Sequence, residues 1–265
     1  MAIFLLCCLF SCKDKHEETN TNKLFDIFLI AGQSNTFAGE GIDAKIDSVS
    51  QGILQLGRHG QNDFKIMEAI EPLGHWDKRP GHIGFGLGFA KLYKQSFSTL
   101  GRKILLIPCG KGSSGFISND WNKDNVLFAD AVKRVNWVIE TFPGSELKAV
   151  LWHQGEHDVG NENYQKQLDK MVVDFRASLS GWMSPKVFIA GGLVPYFVST
   201  DSACIIQQNI IRMLPNRIQG TGYANPEIPF VISKHDNDFD IKHFDSKGQR
   251  ELAERYFAEY LSLKK

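Results

Sequence analysis

Phe25-Asp26-Ile27-Phe28-Leu29-Ile30-Ala31-Gly32-Gln33-Ser34-Asn35 is the stretch that decides the fold. A nearly unbroken apolar run ends in glycine and small polar residues. Continuous rather than alternating hydrophobicity marks a strand covered on both faces, as in a parallel sheet. Four further short runs have the same character: Lys103 to Pro108, Lys148 to His153, Lys186 to Gly191 and Pro229 to Ser233. Between them lie segments with helical spacing, such as Phe85, Phe89, Leu92 and Tyr93, then Val126, Ala129, Val132, Val135 and Ile139, then Tyr164, Leu168, Met171, Val172 and Phe175. A last amphipathic helix carries Leu252, Ala253, Tyr256, Phe257, Tyr260 and Leu261 on one face, with Asp245 or Ser246 as its cap. Strands alternating with helices predict an α/β fold with a central, mostly parallel five-stranded sheet and helices on both faces. In such a sheet the loops leaving the carboxyl ends of the strands gather on one edge, where a ligand can sit.

The residues with chemical potential fall at that edge. Gln33-Ser34-Asn35 follows the first run, Gly110-Lys111-Gly112-Ser113 the second, and His153-Gln154-Gly155-Glu156 the third. Asp240-Ile241-Lys242-His243 follows the fifth and precedes the last helix. A serine hydroxyl becomes a nucleophile when an imidazole takes its proton, and the imidazole needs a carboxylate to fix its tautomer. Ser34, His243 and Asp240 supply those parts, and the three-residue separation of Asp240 and His243 lets both reach one site from a single turn. Candidate oxyanion donors are the backbone N–H of Ser34, that of Gly112 and the amide of Gln154.

Gly32-Gln33-Ser34-Asn35, Trp152-His153-Gln154-Gly155-Glu156, and Asp240-Ile241-Lys242-His243-Phe244-Asp245 with Gly248, Leu252, Arg255 and Tyr256 together resemble the motifs of the SASA group of the SGNH/GDSL hydrolases. That group holds sialate O-acetylesterases and the family 6 acetylxylan esterases. The resemblance spans roughly residues 24 to 262 and implies a three-layer α/β/α sandwich, a Ser-His-acid triad, removal of acetyl from sugar hydroxyls, and neither metal nor cofactor. It also leaves two acids open, because in some relatives the Glu of the Gln-Gly-Glu block supports the histidine. Asp240 is favoured for its local tie to His243, with Glu156 as rival or supporting acid. The chain has Gly112-Ser113-Ser114 where relatives usually read Gly-Gly-Thr, and His157 where a small polar residue is common.

His153-Gln154-Gly155-Glu156-His157 also fits the His-x-x-Glu-His pattern of one class of zinc peptidases, which needs a helix. Ala149 to Trp152 reads as a strand instead, and Gly155 weakens a helix at the motif's centre. Two other readings compete with the carbohydrate one: an esterase or lipase on non-carbohydrate esters, and a catalytically silent glycan-binding protein on the same fold.

Thirty basic residues balance thirty acidic ones, so no global field draws nucleic acid, and an acetylated oligo- or polysaccharide is the expected partner. Residues 1–12 are an apolar leader too short to cross a bilayer, residues 13–23 a charged tether, and residues 24–265 one domain. Leu9-Phe10-Ser11-Cys12 resembles a bacterial lipobox, which predicts export and a lipid anchor on Cys12; an ordinary signal peptide or a misplaced start is the alternative. Membrane contact is expected only there. Cys109 and Cys204 imply no disulfide framework, although one bridge between them is open. Thr36 to Gly81, rich in Gly, Asp and His, reads as a substrate-facing excursion or a solvated loop. His59, His75 and His82 are taken as surface or substrate-loop residues, and Trp76 and Trp121 as packing residues.

Overall fold

The computed structural model describes residues 24–97, 101–229, 231–232 and 240–264. The expected leader, Cys12 and tether lie outside them. Nine strands and seven helices are described: β1 Leu24–Gly32, β2 Gly39–Glu40, β3 Ile53–Leu56, β4 Ile66–Glu68, β5 His82–Ile83, α1 Phe85–Ser96, β6 Arg102–Pro108, α2 Val126–Thr141, β7 Glu146–His153, α3 Tyr164–Ser178, β8 Trp182–Gly191, α4 Pro195–Ser199, α5 Ser202–Arg212, α6 Leu214–Arg217, β9 Thr221–Ala224 and α7 Ser246–Leu263. Seven strands form the main sheet in the order β4-β3-β6-β1-β7-β8-β9, parallel except for β4. The parallel α/β architecture is as expected, with seven strands in place of five.

β1 is central, and its alternate residues serve opposite layers. Phe28 packs edge-on against Phe89 and Tyr93 of α1 and Tyr260 of α7, while Phe25, pointing the other way, meets Phe142 beyond α2. α1 and α7 are joined by Phe85 stacked on Tyr256 at 4.2 Å. Asp245 caps α7, its carboxylate accepting the Gly248 N–H at 2.6 Å.

Three expectations are corrected. The fifth strand is Thr221–Ala224, whereas Val231 and Ile232 carry no strand; Phe230 and Ser233 lie outside the described residues. Thr36 to Gly81 is no mere loop, because β3 pairs parallel with β6 and β4 closes that edge. His75 within it is fully buried and accepts the Gly110 N–H on Nδ1 at 3.0 Å, so it is a packing residue. Trp121 is buried edge-on against Trp152, as expected, and Cys109 and Cys204 are both free.

Candidate active site

The chain leaves β1 toward β3 on one side of the sheet and leaves β7 toward β8 on the other. Diverging connections open a crevice above the carboxyl ends of adjacent strands, here β1 and β7. The two strands stay together to their last residues. Gly32 pairs with His153, and Gln33 N–H donates to the His153 carbonyl at 2.8 Å. A Cβ on Gly32 would fall 2.0 Å from that carbonyl oxygen, and its φ of +127° suits only glycine, so the glycine before Gln33 is a demand of close strand approach.

Beyond Gly32 the backbone turns through the 3-10 segment Ser34–Thr36 and presents Ser34 at the sheet edge, 4% exposed. His243 arrives from the segment before α7. Its Nε2 lies 2.6 Å from Ser34 Oγ, and its Nδ1 lies 2.6 Å from Asp240 Oδ2. The other carboxylate oxygen of Asp240 accepts the backbone N–H groups of Lys242 at 3.1 Å and His243 at 3.2 Å. Ser34, His243 and Asp240 therefore come together. A proton on Nδ1, facing the carboxylate, leaves Nε2 free to accept the serine proton.

Glu156 does not touch His243 in this arrangement. It accepts a 2.5 Å hydrogen bond from Asn35 Nδ2, and its Oε1 stands 3.6 Å from His153 Nε2. Burial raises the Glu156 pKa, but the His153 imidazole, its own backbone N–H and Asn35 outweigh burial and hold it below the usual carboxylate value. Asn35 itself is wholly buried and also bonds Lys242 and Phe244, the neighbours of His243.

Two expected oxyanion donors are engaged elsewhere. Gly112 N–H donates to Asp77 Oδ2 at 2.7 Å, and Gln154 Nε2 donates to Asp158 Oδ2 at 2.7 Å. Asp158, fully buried, also accepts the N–H groups of Phe116 and Ile117 at 2.8 Å each, so its need for donors claims the Gln154 amide. The Ser34 N–H heads a 3-10 turn, a position that leaves an N–H without a partner inside the turn.

Asp77, Asp158 and Asn35 escaped the sequence reading as site residues. Only Asn35 carried a signal, its place beside Ser34; its partner Glu156 lies 121 residues away.

The zinc pattern is not realised in form. β7 ends at His153, which is buried, and a 3-10 turn over Glu156–Asp158 leaves His157 exposed, so the two imidazoles do not share a helical face. Among the described residues no group of three or more His, Cys, Asp or Glu could hold a metal ion.

A family model described as "Carbohydrate esterase, sialic acid-specific acetylesterase" matches residues 24–262. The chain belongs to that family. This carbohydrate esterase is a carboxylic ester hydrolase. It is 31% identical over 190 residues to a probable carbohydrate esterase of Arabidopsis thaliana, a match covering 63% of this chain and 69% of the relative. The fold is shared with the crystal structure of NanS, with a TM-score of 0.78 at 18% identity, covering 91% of this carbohydrate esterase and 98% of NanS. It is shared too with an Arabidopsis thaliana protein solved at 1.6 Å, with a TM-score of 0.70 at 23% identity and the same coverages of 91% and 98%.

Proposed function

We propose that the protein removes acetyl or other short acyl groups from carbohydrate hydroxyls through an acyl-Ser34 intermediate. The observation that carries the reading is the line Ser34 Oγ, His243 Nε2, His243 Nδ1, Asp240 Oδ2, with 2.6 Å at each hydrogen bond. His243 takes the hydroxyl proton as Ser34 Oγ adds to the ester carbonyl. The Ser34 N–H stabilises the oxyanion. As the tetrahedral intermediate collapses, His243 returns the proton to the departing sugar oxygen. Water, deprotonated by the same imidazole, then releases the acid and regenerates Ser34. Asp240 keeps the ring in one tautomer and stabilises its charged form.

Membership of a carbohydrate esterase family supports acetylated sugars as substrates. The test is acetate release from acetylated xylan, sialic acid and pectin fragments by wild type and Ser34→Ala. Loss of release with an unchanged melting temperature is expected; turnover by the variant would overturn the serine mechanism. A preference for long acyl chains over acetyl in a graded ester series would favour a lipase-like role instead. We further propose export and lipid anchoring through Cys12, supported by the apolar stretch ending at Ser11-Cys12. Incorporation of labelled palmitate in a bacterial host, lost in Cys12→Ser, is the corresponding measurement.

A further inference from the structure

His243 stands in a segment, Asp240 to Asp245, that belongs to neither helix nor strand, and its side chain is 18% exposed. Asp240, 35% exposed, fixes the ring from one side only. Something else must hold the backbone that carries the ring, because a base displaced by about 1 Å can lose roughly 10²-fold in rate.

We propose that Asn35 is the positioning residue for His243, clamping the peptide groups on both sides of it while Glu156 anchors the clamp. Asn35 Nδ2 donates to the Lys242 carbonyl at 2.8 Å, and Asn35 Oδ1 accepts the Phe244 N–H at 3.0 Å. The residues before and after His243 are thus gripped by one planar amide. Only a side chain with both donor and acceptor on a short stem does this; Asp lacks the donor and Leu lacks both. The second proton of Nδ2 goes to Glu156 Oε1. The Asn35 carbonyl accepts from Gln249 Nε2 of α7 at 2.9 Å, which ties the same residue to the helix that follows His243.

Asn35 adjoins Ser34 in the chain. The distance from nucleophile to base is therefore set through a closed circuit: Ser34, the Asn35 amide, the peptides around His243, the ring, and back to Ser34. Glu156 acts at one remove. Its carboxylate turns the Asn35 amide so that donor and acceptor face the correct peptides, and the His153 imidazole stands 3.6 Å from its Oε1. His153 is backed in turn by Tyr256, whose hydroxyl lies 3.3 Å from Nδ1. The proposal rests on the serine reading above, and it gives Glu156 a role distinct from that of an acid paired with His243.

The experiment measures kcat and KM for 4-nitrophenyl acetate, and the rate of Ser34 labelling by a fluorophosphonate, in the full chain and in Ser34→Ala, Asn35→Ala, Asn35→Asp and the Asn35→Asp/Glu156→Gln double variant. Values are normalised to the folded fraction. A clamp predicts that Asn35→Ala lowers kcat and labelling rate together by about 10²-fold with KM within about twofold. Asn35→Asp, which sets a second carboxylate against Glu156 and loses the donor, should fall at least as far. Glu156→Gln in that background returns a donor between the two side chains and should recover about tenfold. If Asn35→Ala does not fold, the comparison of Asn35→Asp with wild type decides. Unchanged kcat and labelling in a folded Asn35 variant overturns the clamp, and no recovery in the double variant overturns the anchoring by Glu156, while an inactive Ser34→Ala leaves the serine reading standing. An active Ser34→Ala overturns the serine reading itself.

Discussion

Asp240 holds His243 twice: one carboxylate oxygen lies 2.6 Å from the ring Nδ1, and the other accepts the backbone N–H of His243 at 3.2 Å. Replacement by Asn keeps an acceptor for the backbone but allows an amide N–H to face Nδ1 and favour the wrong tautomer. Asp240→Asn should therefore lower kcat by roughly 10⁴-fold, the scale seen when a triad aspartate is replaced in this way. Glu156→Gln should cost far less, because Glu156 has no contact with the ring. Steady-state kinetics on an acetyl ester checks both, and a reversed order of the two losses would shift the acid role to Glu156.

The contact between β1 and β7 leaves no space for a side chain at Gly32. Gly32→Ala combines a forbidden φ with a Cβ 2.0 Å from the His153 oxygen, and should destabilise the protein by about 3 kcal/mol or more. A urea denaturation series reads this directly. A wild-type midpoint would mean that the two strands do not approach so closely.

Two buried ionisable groups bracket the pH range of stability. Burial raises the Glu71 pKa from 4.5 to about 8, against hydrogen bonds from the Leu73 and Gly84 N–H groups. The folded protein then binds a proton that the unfolded chain releases, so stability is full below about pH 4.5 and is lost as pH rises through about 8. His75 has the opposite sign. Burial, with the charges of Arg58 and Lys78, lowers its pKa from 6.5 to about 3, so its contribution is full above about pH 6.5 and is lost as pH falls through about 3. Melting temperature should thus peak between these limits. Glu71→Gln should flatten the alkaline limb and His75→Asn the acid limb; an unaltered limb in either variant counts against that group as its cause.

Acyl transfer by serine and histidine needs no metal. Hydrolysis of acetyl esters should survive prolonged treatment with EDTA, and inhibition reversed by added Zn²⁺ would require a different chemistry at His153 and His157.

The fold was most legible where burial alone chose the residues. β1, β6, β7 and β8 are covered on both faces and read as apolar runs, and α1, α2, α3 and α7 show their core stripes at helical spacing. β9 was missed because α7 lies so close to it. A Cβ on Gly222 would come within 2.5 Å of Glu259 Cγ, so Thr221-Gly222-Tyr223-Ala224 has small residues where a strand signal needs branched ones. β3 and β4, at a sheet edge and only a few residues long, offer too little periodicity to stand out.

Within the site, Ser34, His243 and Asp240 could be named because their chemistry is rare and two of them are neighbours in sequence. The fate of Gly112 and Gln154 could not. Each has a donor that any of several acceptors can claim, and only folding shows that Asp77 and Asp158 claim them.

Ser34 and His243 are 209 residues apart, and α7 packs after the histidine against α1 and β9. In the proposed mechanism Ser34 is synthesised before most of the sheet and has no base until His243 arrives. No chain that stops short of His243 holds the pair, and the clamp also draws on Gln249, within α7. Hydrolytic competence is therefore a late event in the life of each molecule, and activity regained on refolding should report docking of the carboxyl-terminal helix rather than formation of the sheet.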